Sequence, residues 1–243
     1  MERKNRMASD KQVDVVIPVY NEEEALEGSI HKLAGYLEAH CPYRWRIIIA
    51  DNASTDRTPE IGRRLAEASE RVQYLRLEQK GRGRALRAAW SQSQADVLSY
   101  MDVDLSTDLD CFLPLIEPLM EGRYGVAIGS RLKKGAQVTR GLKREVISRI
   151  YNLMMGAMFP RKGFYDAQCG FKAITRQAAQ ELLPLVKDQA WFFDSELLLK
   201  ARARGYRIHE LPVRWVDDPG SRVHIAKTAW EDIKGMWRVR FGG

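Results

Sequence analysis

The sequence predicts an α/β protein with a mainly parallel sheet and helices on both of its faces. Five short runs rich in β-branched residues are typical of buried strands, at residues 13–19, 46–50, 72–77, 97–101 and 126–128. Segments with helical periodicity alternate with them, at residues 22–39, 58–68, 83–93 and 110–121. This alternation favours a parallel sheet because each crossover helix returns the chain to the edge where the strand began.

The last part of the chain alternates less regularly. It reads as a helix at residues 140–159, a turn and strand at 166–175, a helix at 194–204, a strand at 207–215 and a final helix at 223–241. There is no internal repeat and no low-complexity linker. We therefore expect a disordered N-terminus at residues 1–11 and one domain at residues 12–243 that ends in an amphipathic helix.

The composition favours anionic partners. Lys and Arg outnumber Asp and Glu by 39 to 32, which gives a net charge of +7 and suits nucleotides or lipid phosphates. The basic residues form no recognisable nucleic-acid motif, so nucleic-acid binding is not expected. Cys41, Cys111 and Cys169 include no C-x-x-C pair, which predicts neither a disulfide framework nor a zinc site and fits the reducing cytoplasm.

Nothing in the sequence predicts a segment that crosses a membrane. The N-terminus is polar and basic without an apolar core, so neither a signal peptide nor an anchor is expected. The uncharged stretch at residues 150–160 is well short of the roughly 20 residues that span a bilayer.

Polar loops follow three of the predicted strands, at residues 20–22, 51–56 and 102–104. In parallel sheets ligands bind beyond the carboxyl ends of the strands, so we expect these loops to meet at one site. Asp102 and Asp104 together can hold a hard cation, whereas an isolated pair of this kind is also common in solvated turns. Asp51 ends its strand and is placed to accept hydrogen bonds from a base or ribose.

Eight ordered motifs now identify a family resemblance. VVIPVYNEEE, DNASTD, the turn at Gly83, DVDLS, GSR, DAQCGFKA, WFFDSELL and ELPVRW occur in this order over residues 14–227. The chain resembles glycosyltransferase family 2, and more narrowly the polyprenyl-phosphate sugar transferases, the group of dolichyl-phosphate mannose and glucose synthases. The resemblance implies a GT-A fold, a nucleotide-sugar donor and inversion at the anomeric carbon.

The resemblance also implies a donor site. It assigns the nucleotide sugar to the following residues: Pro18, Tyr20, Glu22, Asp51, Gly83 and Asp102, with Ser221 and Arg222 in a loop that covers the diphosphate. Asp102 and Asp104 would bind Mg²⁺ or Mn²⁺. Ser106 stands where dolichyl-phosphate mannose synthases commonly have Gln, so a third ligand is not assigned. The turn at residues 81–84 precedes a helix whose N-terminal amides, together with Arg82 and Arg84, favour phosphate, and a plain turn is an equally compatible interpretation.

The resemblance assigns the acceptor phosphate to Arg131, Arg144 and Ser148. Arg144 and Ser148 are four residues apart and share one face of a helix, which permits a two-point clamp. The charge run at residues 140–149 is equally typical of a solvated face.

Asp104, Arg131 and Asp194 are the predicted catalytic residues. Asp194 matches the region where relatives that glycosylate hydroxyls keep a general base. A phosphate acceptor hardly needs a base because its second pKa is about 6. Asp194 would then orient the sugar, neutralise Arg131 and Arg144, or cap its helix.

The predicted function is metal-dependent transfer of a hexose from UDP-glucose or GDP-mannose to a polyprenyl phosphate on the cytoplasmic face of a membrane. One alternative is transfer to a glycan or small-molecule hydroxyl with Asp194 as base. Another is a nucleotide-sugar-binding module without catalysis. A separate membrane-spanning partner, or an anchor outside this chain, is also expected.

Two apolar stripes predict peripheral binding to the membrane surface. The first comprises Ala226, Trp230, Ile233, Trp237 and Phe241, and the second comprises Ile147, Ile150, Tyr151, Met154, Met158 and Phe159. Basic amphipathic helices with aromatic residues suit a lipid interface. The alternative is that both stripes pack against the sheet.

Overall fold

The computed structural model describes residues 9–217 and 225–242. Its central sheet has seven strands in the order β3-β2-β1-β4-β7-β5-β8. These strands are β1 (Ser9–Val19), β2 (Tyr43–Asp51), β3 (Val72–Arg76), β4 (Val97–Met101), β5 (Val126–Ser130), β7 (Phe171–Thr175) and β8 (Ile208–Pro212). A second sheet pairs β6 (Gln137–Thr139) with β9 (Arg214–Val216).

The main sheet is parallel except at one strand. β1 pairs with β2 and β4, β2 with β3, and β5 with β8, all in parallel register. β7 lies antiparallel between β4 and β5. The carboxyl ends of β1, β2, β4 and β5 therefore lie at one edge of the sheet, as predicted from the alternation of strands and helices.

Eight helices cover the two faces of the sheet within the described residues. They are α1 (Leu26–His40), α2 (Thr58–Ala68), α3 (Arg82–Gln92), α4 (Phe112–Met120), α5 (Leu142–Met158), α6 (Arg176–Leu182), α7 (Phe193–Ala203) and α8 (Ile225–Phe241). Residues of α1, α2 and α4 pack into one apolar core, and those of α3, α5, α6, α7 and α8 contribute to the other. The predicted α/β architecture with helices on both faces is confirmed.

Several local predictions differ from the structure. β1 begins at Ser9, so residues 9–11 belong to a strand and not to a disordered terminus. The strand predicted at residues 207–215 is two strands, β8 and β9, which separate at Pro212 and pair in different sheets. The short elements β6 and α6 were not predicted, because three to seven residues carry too little periodicity to be recognised.

Helix α5 corrects the predicted second stripe. Tyr151 is buried, and Met154, Met158 and Phe159 pack on the core, so most of that stripe faces the sheet. The outward apolar residues of α5 are Val146, Ile150 and Leu153. Both sides of the helix are apolar, and the sequence pattern alone assigned the stripe to the wrong side.

Helix α8 agrees with the predicted first stripe where its side chains are described. Trp230, Ile233, Trp237 and Phe241 are exposed on one side of the helix. α8 also contacts α5, so the outer apolar residues belong to two neighbouring helices. None of the described helices combines the length and the apolar character that a membrane span requires.

Candidate active site at the carboxyl edge of the sheet

The loops that follow β1 and β2 are joined by hydrogen bonds. The amide of Asn21 donates to Ser54 Oγ at 2.9 Å, and the amide of Glu22 donates to Thr58 Oγ1 at 2.8 Å. In return, the amide of Thr55 donates to Asn21 Oδ1 at 2.8 Å. Asn21 has a φ of 55°, a left-handed conformation that asparagine tolerates better than most residues. The two loops therefore form one surface, as the sequence predicts.

Asp51 lies fully buried at the base of this surface. Its carboxylate accepts hydrogen bonds from Tyr74 Oη at 2.5 Å, Arg76 Nη1 at 2.8 Å and the Ser54 amide at 2.8 Å. Burial, and next the bond to Asp51, raise the pKa of Tyr74 to about 12. The structure therefore places Asp51 at the predicted edge and engages its oxygens with three groups of the protein.

Tyr20 is the exposed aromatic residue of the predicted donor site. The Nζ of Lys80 lies 3.9 Å from its ring centroid and also donates to its hydroxyl. Pro18 is half-buried at the end of β1, beside the loop that carries Glu22. These three predicted nucleotide-binding residues are thus adjacent along the chain and reach the same sheet edge.

Gly83 has a structural explanation that the motif did not reveal. A Cβ at this position would lie 2.5 Å from the Cβ of Phe193, so only glycine permits the close packing of α3 on α7. Its amide donates to the carbonyl of Ala190 at 3.2 Å. The Gly83 amide, at the start of α3, is therefore already occupied by an acceptor of the protein itself.

Asp102 and Asp104 follow β4, as predicted. Arg82 Nη2 donates to Asp102 Oδ1 at 2.6 Å. A Cβ on Gly170 would lie 1.8 Å from Asp102 Oδ2, so the carboxylate rests against the backbone of a glycine from the DAQCGFKA motif. Asp104 is exposed, and its Oδ1 accepts from the amide of Ser106 at 2.9 Å.

This donor set fits a hard divalent cation with few protein ligands. Asp102 and Asp104 supply carboxylate oxygens, which Mg²⁺ and Mn²⁺ prefer. The hydroxyl oxygen of Ser106 is buried without a hydrogen-bond partner in the described part of the chain and is a neutral oxygen close in sequence to both. Over the described residues, no group of three His, Cys, Asp or Glu side chains could hold a metal ion. A cation here would take its remaining oxygens from the substrate or from water.

A cleft opens beside Asp104. It has a volume of about 670 Å³, and Lys32 and Tyr36 of α1, Ser106, and Asp217 contribute to its walls. Asp217 is the last described residue before the segment that carries Ser221 and Arg222. Those two predicted donor-binding residues lie outside the described residues.

Asp194 is buried in an ionic cluster beneath the edge of the sheet. It is 4% exposed, accepts a hydrogen bond from Tyr100 Oη at 2.6 Å and lies 3.5 Å from Lys172 Nζ. Lys172 itself is fully buried and also donates to Tyr100 at 3.1 Å. Asp194 belongs to the first turn of α7 and forms no N-cap hydrogen bond, since Phe192 occupies the cap position.

Arg131 pairs with Asp166 and not with Asp194. Its Nε and Nη2 bind the two carboxylate oxygens of Asp166 at 2.8 and 3.0 Å. Burial alone would raise the pKa of Asp166, but the charge and the hydrogen bonds of Arg131 have the larger combined effect. The pKa of Asp166 is therefore lowered to about 2. The expectation that Asp194 neutralises Arg131 is therefore wrong, because each of the two carboxylates has its own buried cation.

Of the two remaining residues predicted to bind the acceptor phosphate, the structure describes the side chain of Ser148 only. Ser148 is buried in α5, and its Oγ has no hydrogen-bond partner in the described part of the chain. Arg144 lies one turn earlier on the same helix, but its side chain lies outside the described residues.

Sequence reasoning missed two residues that organise the site, Asp166 and Lys172. It named Arg82 only as a possible phosphate-binding residue and did not predict its contact with Asp102. Asp166 and Lys172 both belong to the DAQCGFKA motif, which was used only for the resemblance. A lysine inside the apolar run of β7 was the available signal, because a charge in a buried strand requires a partner.

The fold belongs to the GT-A class of glycosyltransferases. The chain superposes with a TM-score of 0.71 on glucosyl-3-phosphoglycerate synthase from Mycobacterium tuberculosis, crystallised with Mn²⁺, UDP and glucosyl-3-phosphoglycerate. The identity is 18%, over 96% of this chain and 80% of that one. This similarity confirms the predicted GT-A fold.

The sequence defines the family as well. Residues 14–183 match Glycosyl transferase family 2, and the chain belongs to that family. It is 36% identical over 231 residues to glycosyltransferase AglD of Haloferax volcanii, which covers 94% of this chain and 36% of that protein. It is 29% identical over 231 residues to the dolichyl-phosphate beta-glucosyltransferase of Mus musculus, with 88% and 70% covered. The chain therefore spans about a third of the first relative and most of the second.

Proposed function

We propose that this protein transfers glucose from UDP-glucose to a polyprenyl phosphate, with inversion at the anomeric carbon and with the help of a divalent cation. Membership of family 2 supports sugar transfer. The name of the mouse relative supports glucose and a dolichyl-phosphate acceptor. The neighbour crystallised with UDP and Mn²⁺ supports a uridine nucleotide and a divalent cation.

The burial of Asp194 is the observation that favours a phosphate acceptor over a hydroxyl acceptor. A general base must reach the proton that it removes, to within about 3.2 Å. Asp194 is 4% exposed and is held by Tyr100 and Lys172. A base in this position is a poor match for a hydroxyl acceptor, whereas a phosphate acceptor brings an oxygen that is already anionic at neutral pH.

Asp102 and Asp104 are the proposed ligands of Mg²⁺ or Mn²⁺. A cation held there would neutralise the negative charge that develops on the departing nucleoside diphosphate. Gly170 lets the backbone approach Asp102 closely, and Arg82 holds one of its oxygens. The contact with Gly170 orients the carboxylate before the donor binds, which reduces the reorganisation needed during the reaction.

Arg131 and Asp166 are proposed to organise the acceptor side. The bidentate ion pair fixes the guanidinium at the end of β5. Arg144 and Ser148 are proposed to bind the acceptor phosphate, and the unpartnered Oγ of Ser148 is compatible with that role. Pro18, Tyr20, Glu22, Asp51 and Gly83, together with Ser221 and Arg222, remain proposed donor-site residues.

A lipid surface is the proposed occupant of the outer face of α5 and α8. Large apolar side chains are exposed on both helices: Val146, Ile150, Leu153, Trp230, Ile233, Trp237 and Phe241. Cations accompany the aromatic rings of α8, with Lys234 Nζ 5.3 Å from the ring of Trp230 and the guanidinium of Arg240 5.4 Å from Phe241. Aromatic rings flanked by cations match an interface with anionic headgroups.

A substrate panel tests the transfer. Radiolabelled UDP-glucose, UDP-galactose, UDP-GlcNAc and GDP-mannose are each incubated with a short polyprenyl phosphate, the corresponding polyprenol, or 3-phosphoglycerate. The proposal predicts a lipid-extractable product from UDP-glucose and the polyprenyl phosphate alone. Equal transfer to the polyprenol, or transfer only to 3-phosphoglycerate, would contradict it.

Sedimentation with anionic liposomes tests the membrane surface. Trp237→Glu removes an apolar ring that is 63% exposed, so it should weaken liposome binding without lowering the melting temperature. Ala39→Glu adds the same charge to the exposed side of α1, on the other face of the sheet, and should bind like wild type. High salt should also weaken binding. Wild-type protein that stays in the supernatant at low salt would refute the lipid surface.

A further inference from the structure

Arg82 lies against Asp102, one of the two proposed metal ligands. It is the first residue of α3, and its side chain is 13% exposed. The guanidinium carbon lies 5.2 Å from the ring centroid of Tyr100 and 5.1 Å from that of Trp191. Two aromatic rings thus hold this cation against Asp102.

The contact between Arg82 and Asp102 differs from the buried ion pair of Arg131 with Asp166. Arg131 binds both oxygens of Asp166. Arg82 uses only Nη2 on one oxygen of Asp102, and its Nε is buried with no acceptor in the described part of the chain. A single hydrogen bond with an unused donor beside it allows the guanidinium to exchange partners at lower cost than a bidentate pair does.

Arg82 and a divalent cation would compete for the same carboxylate. Asp102 Oδ1 accepts from Arg82, and Asp102 Oδ2 rests against Gly170. A cation that binds Asp102 must approach a fixed positive charge, which opposes its binding. A nucleoside diphosphate removes this conflict, because its phosphate oxygens can accept from Arg82, which frees Asp102 Oδ1 for the metal while Oδ2 stays against Gly170.

We propose that Arg82 is an internal counter-ion that keeps the metal site weak until a nucleoside diphosphate takes over its hydrogen bonds. The inference rests on the proposed metal-dependent use of a nucleotide sugar. Arg82 thereby couples the binding of the cation to that of the donor, and by linkage the coupling acts equally in both directions. The free protein does not hold a divalent cation firmly, and the cation enters together with the diphosphate.

Mn²⁺ binding measured by electron paramagnetic resonance, without nucleotide, tests this role. Arg82→Gln removes the competing charge, and Arg82→Met preserves the apolar stem between the two rings in case Gln disturbs folding. Both variants should bind Mn²⁺ alone at least tenfold more tightly than wild type. Arg84→Gln is the matched control, because Arg84 lies on the same turn and donates to the carbonyl of Lys80; it should bind Mn²⁺ like wild type.

The second measurement repeats the titration with saturating UDP. UDP should tighten Mn²⁺ binding strongly in wild type and at least tenfold less in the two Arg82 variants. If folded Arg82 variants bind Mn²⁺ alone no more tightly than wild type, the counter-ion role is wrong even though Mn²⁺ and UDP bind. If wild type binds no Mn²⁺ even with UDP, the proposed metal-dependent function itself fails.

Discussion

Replacing Gly170 with alanine tests whether the position of Asp102 controls activity. A Cβ at residue 170 would lie 1.8 Å from Asp102 Oδ2, 2.5 Å from its Cγ and 2.8 Å from Arg82 Nη2. Ordinary van der Waals contact begins near 3.4 Å, so the carboxylate must move by about 1.6 Å. Gly170 does not have a positive φ, and alanine therefore strains this site through contact alone.

We expect Gly170→Ala to lower activity strongly and stability only slightly. Asp102 is partly exposed and can move toward solvent, so we expect a loss of about 1 kcal/mol in stability, at the low end for overpacking. A displacement of about 1 Å at a reacting centre costs roughly 100-fold in rate. We therefore expect glucose transfer to fall by about 100-fold or more.

Initial rates of transfer and urea unfolding curves provide the two readouts. Gly28→Ala is the matched control, because a Cβ there meets nothing within 4 Å and the residue lies inside α1. It should keep full activity and gain up to about 1 kcal/mol of stability. A Gly170→Ala variant with wild-type activity would refute the claim that Asp102 must lie against this backbone.

Three further predictions concern ionisable groups. Asp104→Asn removes the charge of one proposed metal ligand, so transfer should fall by at least about 100-fold while the melting temperature is kept; activity that persists in EDTA would contradict the metal role. Asp194→Asn leaves the buried ammonium of Lys172 unpaired and should cost about 3–5 kcal/mol in urea unfolding, and the further change Lys172→Met should restore part of this loss. A double variant no more stable than Asp194→Asn would show that the pair is not coupled. Burial, and next the charge of Asp188, raise the pKa of Asp232 from 3.8 to about 7, so the folded protein retains a proton that the unfolded chain releases. Stability should therefore fall as the pH rises from about 4 to about 7 and then level off, and Asp232→Asn should flatten this slope in melting curves; an unchanged slope would exclude Asp232 as its source.

The local pattern of the sequence was sufficient for most of the sheet. The strands at residues 13–19, 46–50 and 97–101 were recognisable because they are short, apolar and bounded by polar loops. The position of β7 was not predictable in this way. It lies antiparallel between β4 and β5, and pairing between distant strands leaves no periodic signal in either segment.

The sequence indicated which loops form the site, but it did not indicate the side-chain contacts that join them to other elements. Asp102 and Asp104 follow a strand and could be recognised from that position alone. Arg82 reaches Asp102 from the start of a helix 20 residues earlier in the chain, and this contact depends on how α3 packs against the sheet. Gly83 shows the same limit, because the reason for the glycine is the side chain of Phe193, more than 100 residues away.

The linkage in the purified product tests the central claim most directly. UDP-glucose, a short polyprenyl phosphate and Mn²⁺ are incubated with the protein, and the product is analysed by ³¹P and ¹H NMR spectroscopy. We predict a phosphodiester signal coupled to the anomeric proton of a β-linked glucose, since UDP-glucose is an α-anomer and the proposed reaction inverts. A phosphate that remains a monoester while glucose appears on a hydroxyl, or an α-linked product, would contradict the account.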